Sequence, residues 1–254
     1  MPTADDHALA ARLATEAGEL LMTLRAELQT SGAEQRAIKD EGDRRSHELL
    51  MERLAESRPD DAVLSEEATT DELAASKRLG ADRVWIVDPL DGTREYSEGR
   101  SDWAVHVALT ESGVPTAGAV ALPALGLTLS TGEPPSIPPA ADVPRVVVSR
   151  TRPPAEALAV AQALGAELVE MGSAGAKAMS ILRGESDVYP HSGGQYEWDS
   201  AAPVAVAMAA GLHCSRLDGS PLMYNRPDPY LPDLLICRPE LAEATLAAAA
   251  AAST

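Results

Sequence analysis

The 254-residue chain has no phenylalanine, and aromatic residues make up only 3% of it. A sizeable core must then be filled with Ala, Val and Leu, which the 45% hydrophobic content supplies. Only two cysteines are present, Cys214 and Cys237, without CxxC spacing or a nearby histidine pair. That argues against a disulfide framework or a zinc site and leaves free or buried thiols in a reducing compartment. Positive charge is scarce: 21 Lys and Arg stand against 39 Asp and Glu, a net charge of −18. Such an excess disfavours nucleic-acid polymers and anionic membranes as partners. No apolar run is long enough to span a bilayer and no leader is visible, so a soluble cytoplasmic protein is expected. A Gly-x-Ser-x-Gly elbow and a Gly-rich Walker loop are also missing, against a serine hydrolase or a P-loop NTPase.

What is present centres on Val84-Trp85-Ile86-Val87-Asp88-Pro89-Leu90-Asp91-Gly92-Thr93-Arg94-Glu95-Tyr96. Val84 to Val87 read as a buried strand, expected to end at Asp88 because Pro89 removes a backbone donor. Asp88 and Asp91 then face each other around a tight turn closing on Gly92 and Thr93. Carboxylates this close repel unless a positive charge lies between them, and a hard divalent cation such as Mg²⁺ suits oxygen ligands. Gly92 lets backbone approach a ligand, and the N–H groups that open a following helix suit a phosphate. Taken alone, the pair reads as a capped turn carrying two surface aspartates.

Around this stretch the apolar spacing predicts a helix over 4–28, a mobile loop over 29–42 and a second helix over 43–57. Val63-Leu64 reads as a short strand, and 69–80 as polar and helical or irregular. Strands follow over 103–109, 117–122 and 127–130. The segment 133–144 holds five prolines and is the natural linker. Strand and helix then alternate: strands 146–149, 167–170, 188–189 and 234–237, helices 154–164, 177–183 and 200–210. The division expected is an N-terminal α+β half, 1–133, carrying most metal ligands. A C-terminal α/β half, 144–254, follows the linker at 134–143. The Ala-rich stretch 246–252 reads as a helix end.

Asp88-Pro89-Leu90-Asp91-Gly92-Thr93 resembles the D-P-[IL]-D-G-T signature of the inositol monophosphatase superfamily of metal-dependent phosphatases. Ser65-Glu66-Glu67, Glu197-Trp198-Asp199-Ser200-Ala201-Ala202 and Asp43 match further family segments in order, over about residues 8–237. The resemblance implies a layered αβαβα sandwich of the inositol monophosphatase/fructose-1,6-bisphosphatase type, with the site between two halves. It implies two or three Mg²⁺ ions, replaceable by Mn²⁺ and antagonised by Li⁺ and Ca²⁺, and a homodimer. Glu66, Asp88 and the Leu90 carbonyl would hold one ion; Asp88, Asp91 and Asp199 a second; Asp43 and Glu67 would lie near a third. Thr93 would orient the attacking water, with Asp43 or Glu66 taking its proton. Removing one of these crowded carboxylates, as in Asp91→Asn, should relieve repulsion when no metal is bound. For Asp199 and Asp43 alone, the competing reading is a helix-start acid.

Asp91-Gly92-Thr93-Arg94-Glu95-Tyr96 resembles the D-G-T-[KR]-E-[FY] extension of the 3′(2′),5′-bisphosphate nucleotidase branch. Glu197 before Trp198, Val148-Ser149-Arg150, and Gly172-Ser173 with Lys177 resemble that branch as well. The substrate implied is adenosine 3′,5′-bisphosphate (PAP) or its sulfated relative PAPS, in sulfur assimilation and nucleotide recycling. The substrate contacts implied are Gly92, Thr93, Arg152, Ser173, Lys177, His191 and Asp199. The chain departs from the pattern in three places. Arg152 stands where a histidine is usual, Lys177 lies one residue further from Ser173, and His191 replaces an arginine. Inositol monophosphate or fructose 1,6-bisphosphate remain alternative substrates, and a non-catalytic phosphometabolite sensor is the reading from another class. His7, His47 and His106 show no ligand spacing and read as packing or surface residues.

Overall fold

The computed structural model describes residues 1–69 and 77–252. Helix α1 (Ala4–Thr30) opens on a capping box: Thr3 Oγ1 accepts the Asp6 N–H, and the Asp6 carboxylate accepts the Thr3 N–H at 2.8 Å. Its inward face is the helical series Leu9, Leu13, Ala17, Leu21 and Leu24. Helix α2 spans Gln35–Ser57, which corrects the loop expected up to residue 42. Residues 35–42 bury only Ile38 and Gly42, one turn apart, so the apolar signal is too thin to read. The exposed side is laced by ion pairs one turn apart, among them Arg36–Asp40 and Arg44–Glu48. Gly42 leaves room for the core, since a Cβ there would lie 2.9 Å from Tyr96 and 3.0 Å from Leu90.

Five strands make the first sheet: β1 (Ala62–Ser65), β2 (Arg83–Asp91), β3 (Ala104–Glu111), β4 (Val114–Leu122) and β5 (Leu127–Ser130). They lie in that order, β1 parallel to β2 and the others antiparallel. Strand β2 does not stop at Asp88, as Pro89 suggested, but runs on to Asp91 through a bulge. Asp88 pairs with His106 and Asp91 with Ala104, so β2 spends one residue more than β3 between them. Pro89 sits inside that irregularity, where its missing N–H breaks no ladder bond, and its carbonyl accepts from Ser46 Oγ of α2 at 2.7 Å. A short helix α3 (Thr93–Ser97) follows. Residues 70–76 of the stretch read as polar and helical or irregular lie outside the described residues; Arg78–Gly80 form one 3₁₀ turn.

The second sheet runs β7 (Glu167–Met171), β6 (Arg145–Ser149), β8 (Val188–Tyr196), β10 (Tyr230–Cys237) and β9 (His213–Ser215). Helices α4 (Ala155–Leu164), α5 (Ala174–Leu182), α6 (Glu197–Ala209) and α7 (Ala242–Ala252) complete the chain. Strand β8 is far longer than the two residues expected, because its outer half is Ser-Gly-Gly-Gln-Tyr and carries no apolar run. Between the sheets the Pro-rich stretch is irregular, yet Ile137 packs on the core and Arg238 donates to the Pro138 carbonyl at 2.8 Å.

Strand alternation sorts these elements into layers. Trp85 and Val87 face α1 and α2, whereas Val84 and Ile86 face Ala176, Ala202 and Val206 of α5 and α6. The other side of α5 and α6 meets Val147, Tyr189, Leu234 and Ile236 of the second sheet. Val146, Val148, Leu235 and Cys237 then pack on α4 and α7. The result is the αβαβα sandwich, with Ala and Val filling its centre. No helix among the described residues is long and apolar enough to cross a membrane.

Candidate active site

Residues three apart on a regular strand point to opposite faces. The extra residue in β2 cancels that alternation, so Asp88 and Asp91 both face α5 and α6, while Leu90 between them packs toward α1. Asp199 joins them from the first turn of α6, which begins at Glu197 rather than at Ser200. Asp88, Asp91 and Asp199 each bring a ligand oxygen within 4.8 Å of the others. Asp88 is 1% exposed and Asp91 6%.

The three carboxylates are held very differently. Asp91 accepts from Ser173 Oγ and from the Ala174 and Gly175 N–H groups opening α5, at 3.0 and 2.6 Å. His106 Nε2 lies 3.2 Å away. Against the cost of burial, His106, Ser173 and the Lys177 charge hold Asp91 down at about 2. Asp88 accepts the Leu90 N–H at 3.0 Å and shares a hydrogen bond with Glu66. Burial, with repulsion from Glu66, Asp91 and Asp199, drives it well above the ordinary carboxylate range. Asp199 is pushed to about 7 by burial and Asp91, although its Oδ2 accepts the Tyr196 N–H at 2.6 Å. The helix-start reading thus holds for Asp199, which also stands in the carboxylate triad.

Glu66 follows β1 at the rim of the cluster, where desolvation and then Glu67 and Asp91 raise it to about 6 against a hydrogen bond to Asp88. Asp43 lies within α2, not at its start; desolvation, Glu67 and Glu66 lift it to about 8. An all-oxygen set that is crowded, largely buried and short of positive charge fits a hard divalent cation.

Other candidates divide. Gly92 has φ +86°, and a Cβ there would meet Ser173 Cβ at 3.0 Å, so the turn needs glycine. Thr93 is half-buried at the first position of α3. Ser173 and Lys177 are buried and turned inward: the Lys177 ammonium donates to the Ser173 carbonyl at 2.6 Å. Arg152 is exposed on the connection between β6 and α4, and no contact among the described residues ties its side chain to the carboxylates. Burial and the Lys177 charge lower His191 to about 4, so at neutral pH it cannot supply the charge of the arginine it replaces. Arg150 donates to Glu95 and Glu98, each at 2.7 Å, locking α3 to β6. Glu197 accepts the Asn225 and Arg226 N–H groups at 2.7 and 2.8 Å and ties down that loop.

Two residues of the cluster escaped the sequence. His106 is fully buried rather than at the surface, and its Nδ1 donates to the Trp198 carbonyl at 3.0 Å. A carbonyl only accepts, so Nδ1 carries a proton and Nε2 is the atom left facing Asp91. Burial opposes a charge on the ring, but Asp91 outweighs it and raises His106 above its ordinary value. Gly175 is the second: a Cβ there would lie 2.0 Å from His106 Nε2. His106 sits across the sheet from Asp88, a pairing no local spacing records.

Residues 5–254 match the model of the inositol monophosphatase family. A 3′-phosphoadenosine 5′-phosphate phosphatase from Mycobacterium leprae is 53% identical over 254 residues, covering 93% of this chain and 90% of the relative. The 3′(2′),5′-bisphosphate nucleotidase CysQ of Escherichia coli is 32% identical, covering 73% of this chain and 79% of that one. Among solved structures, CysQ from Bacteroides thetaiotaomicron aligns with TM-score 0.77 at 26% identity, over 92% of this chain and 97% of that chain. An IMPase of Thermotoga maritima shares the fold, with TM-score 0.74 at 19% identity over 96% of both chains. The chain belongs to the inositol monophosphatase family.

Proposed function

We propose that this chain is a Mg²⁺-dependent phosphomonoesterase that removes the 3′-phosphate of PAP, with PAPS as a second substrate, and so serves nucleotide recycling in sulfur assimilation. The observation that carries the chemistry is the buried triad Asp88, Asp91 and Asp199 on the β2 bulge and the α6 start. The likeness to relatives named for PAP supports the substrate. Asp88, Asp91, Asp199 and Glu66, with the Leu90 carbonyl, would hold the cations. Divalent cations bound there would neutralise the phosphate oxygens and make water easier to deprotonate. Thr93, one residue beyond the Gly92 turn, orients the attacking water. Asp43 or Glu66 takes its proton. The test compares kcat/KM for PAP, inositol 1-phosphate and fructose 1,6-bisphosphate, with Mg²⁺ and with chelator. PAP should lead, and chelator should abolish turnover. A lead for either other substrate overturns the assignment, and no release from any of the three leaves a sensor.

Cation binding should also be coupled to protons. Without metal, Asp43, Asp199 and Glu66 titrate at about 8, 7 and 6, so below these values they hold protons that a cation must displace. Calorimetric Mg²⁺ titration at pH 6.5 in buffers of different ionisation enthalpy should show release of on the order of one proton per protein. At pH 9 the release should be smaller and the affinity higher. Affinity and proton count independent of pH would mean Asp199 and Glu66 are not ligands.

A further inference from the structure

Among the eight Trp and Tyr residues, five are sealed in the interior: Trp85, Trp103, Tyr96, Tyr189 and Tyr224. The other three form one cluster. Tyr196 and Trp198 stack with ring centroids 4.9 Å apart and planes 7° from parallel. Tyr230 meets Tyr196 edge-on, 5.8 Å away at 81°. Trp198 is half-buried against the core, whereas Tyr196 is 41% exposed and Tyr230 39%. A chain this poor in aromatic residues gains nothing in core filling from rings left in water.

Their address is specific. The Tyr196 N–H donates to Asp199, so the backbone that carries the Tyr196 ring meets the carboxylate triad. The lip next to them is open: Gly193 and Gly194 have no atom within 4 Å of the positions their Cβ atoms would take. The Tyr230 hydroxyl accepts the Gly194 N–H at 3.3 Å, which ties ring and lip together. Stacking also needs no positive charge, fitting a site where His191 is neutral.

We propose that Tyr196, backed by Trp198 and flanked by Tyr230, is the stacking platform for the purine base of the substrate. The inference rests on the nucleotide-phosphatase reading above and adds how the base is recognised. A flat π-face offers full stacking to any nucleobase, whereas a sugar or cyclitol phosphate has no π-face to stack on it. The platform thus separates nucleotides from other phosphate esters sharing the metal chemistry.

The experiment measures kcat/KM for PAP and for its abasic analogue, in which hydrogen replaces adenine, in wild type, Tyr196→Leu and Tyr196→Phe. The ratio of the two values should fall about tenfold in Tyr196→Leu and recover in Tyr196→Phe, the scale of one lost base–ring stack. An unchanged ratio, including one in which both substrates suffer equally, overturns the platform and leaves a structural clamp on α6. Should Tyr196→Leu not fold, Tyr230→Leu is read by the same ratio, with the same outcome deciding. If wild type releases no phosphate from PAP, the phosphatase reading fails separately, and the platform is judged by AMP titration followed by tryptophan fluorescence. Tyr196→Leu should then bind AMP about tenfold more weakly with unaltered affinity for inorganic phosphate. Equal AMP binding in the two proteins overturns it.

Discussion

Asp88→Asn and Asp91→Asn each lose at least about a hundredfold in kcat, the scale of a missing electrostatic stabiliser, yet without metal their stabilities move in opposite directions. Asp88 is buried, accepts one backbone N–H and is repelled by three carboxylates, so its pKa is raised above the unfolded value. Its ionised form therefore weakens the fold at neutral pH, and the neutral asparagine removes that penalty. In chelator at pH 8 the melting temperature should rise, the gain shrinking as acid protonates wild-type Asp88. Asp91 has the reverse sign. Held at about 2, it contributes stability that is present above the unfolded carboxylate pKa and is lost as pH falls toward 2. An asparagine keeps only one accepting oxygen for Ser173, Ala174 and Gly175, and it no longer balances His106 and Lys177. Its melting temperature in chelator should fall. The expectation drawn from crowding alone, that Asp91→Asn would relieve repulsion, is thereby reversed. Thermal unfolding of both variants at pH 8 settles the matter, and shifts of the same sign would refute it.

Gly175→Ala should be nearly as damaging, although it adds a single methyl group to a residue that carries no chemistry. The new Cβ would stand 2.0 Å from His106 Nε2, far inside contact distance. His106 cannot simply swing away, because its other nitrogen is tied to the Trp198 carbonyl. Either the ring leaves that carbonyl or the start of α5 withdraws, taking two N–H donors from Asp91. Both routes displace a carboxylate of the triad, and misplacing active-site groups by about 1 Å costs on the order of a hundredfold in rate. The double variant Gly175→Ala/His106→Ala should recover part of the lost kcat, since the obstacle is gone. Wild-type kcat in Gly175→Ala would show that the contact is relieved without consequence.

Much of what lay in contiguous strings was legible beforehand. Asp88-Pro89-Leu90-Asp91-Gly92-Thr93 showed the strand, the aspartate pair and the turn but not the bulge, because Pro89 reads as a strand end; Asp199 was legible as a helix-start acid, although α6 begins two residues earlier. The αβαβα layering was implied by resemblance, and the helical period of α1 was plain in the spacing of its leucines. The front of α2 was not, because Ile38 and Gly42 alone face inward and a helix held by surface ion pairs has no apolar rhythm. Nor was β8 past Tyr189, where Gly193 and Gly194 extend a strand that propensity would end. The largest omission in the site, His106 with Gly175, is a contact between β3 and α5 about 70 positions apart, and its fit exists only once the layers have closed.

The bulge in β2 also bears on what kind of signal the aspartate spacing is. Two acids three apart mean nothing by themselves, because strand parity sends them to opposite faces. An extra residue in a strand likewise means nothing without acids to redirect. Each makes sense only with the other, like a digit and the base in which it is written. Between the two aspartates, length therefore carries as much information as composition.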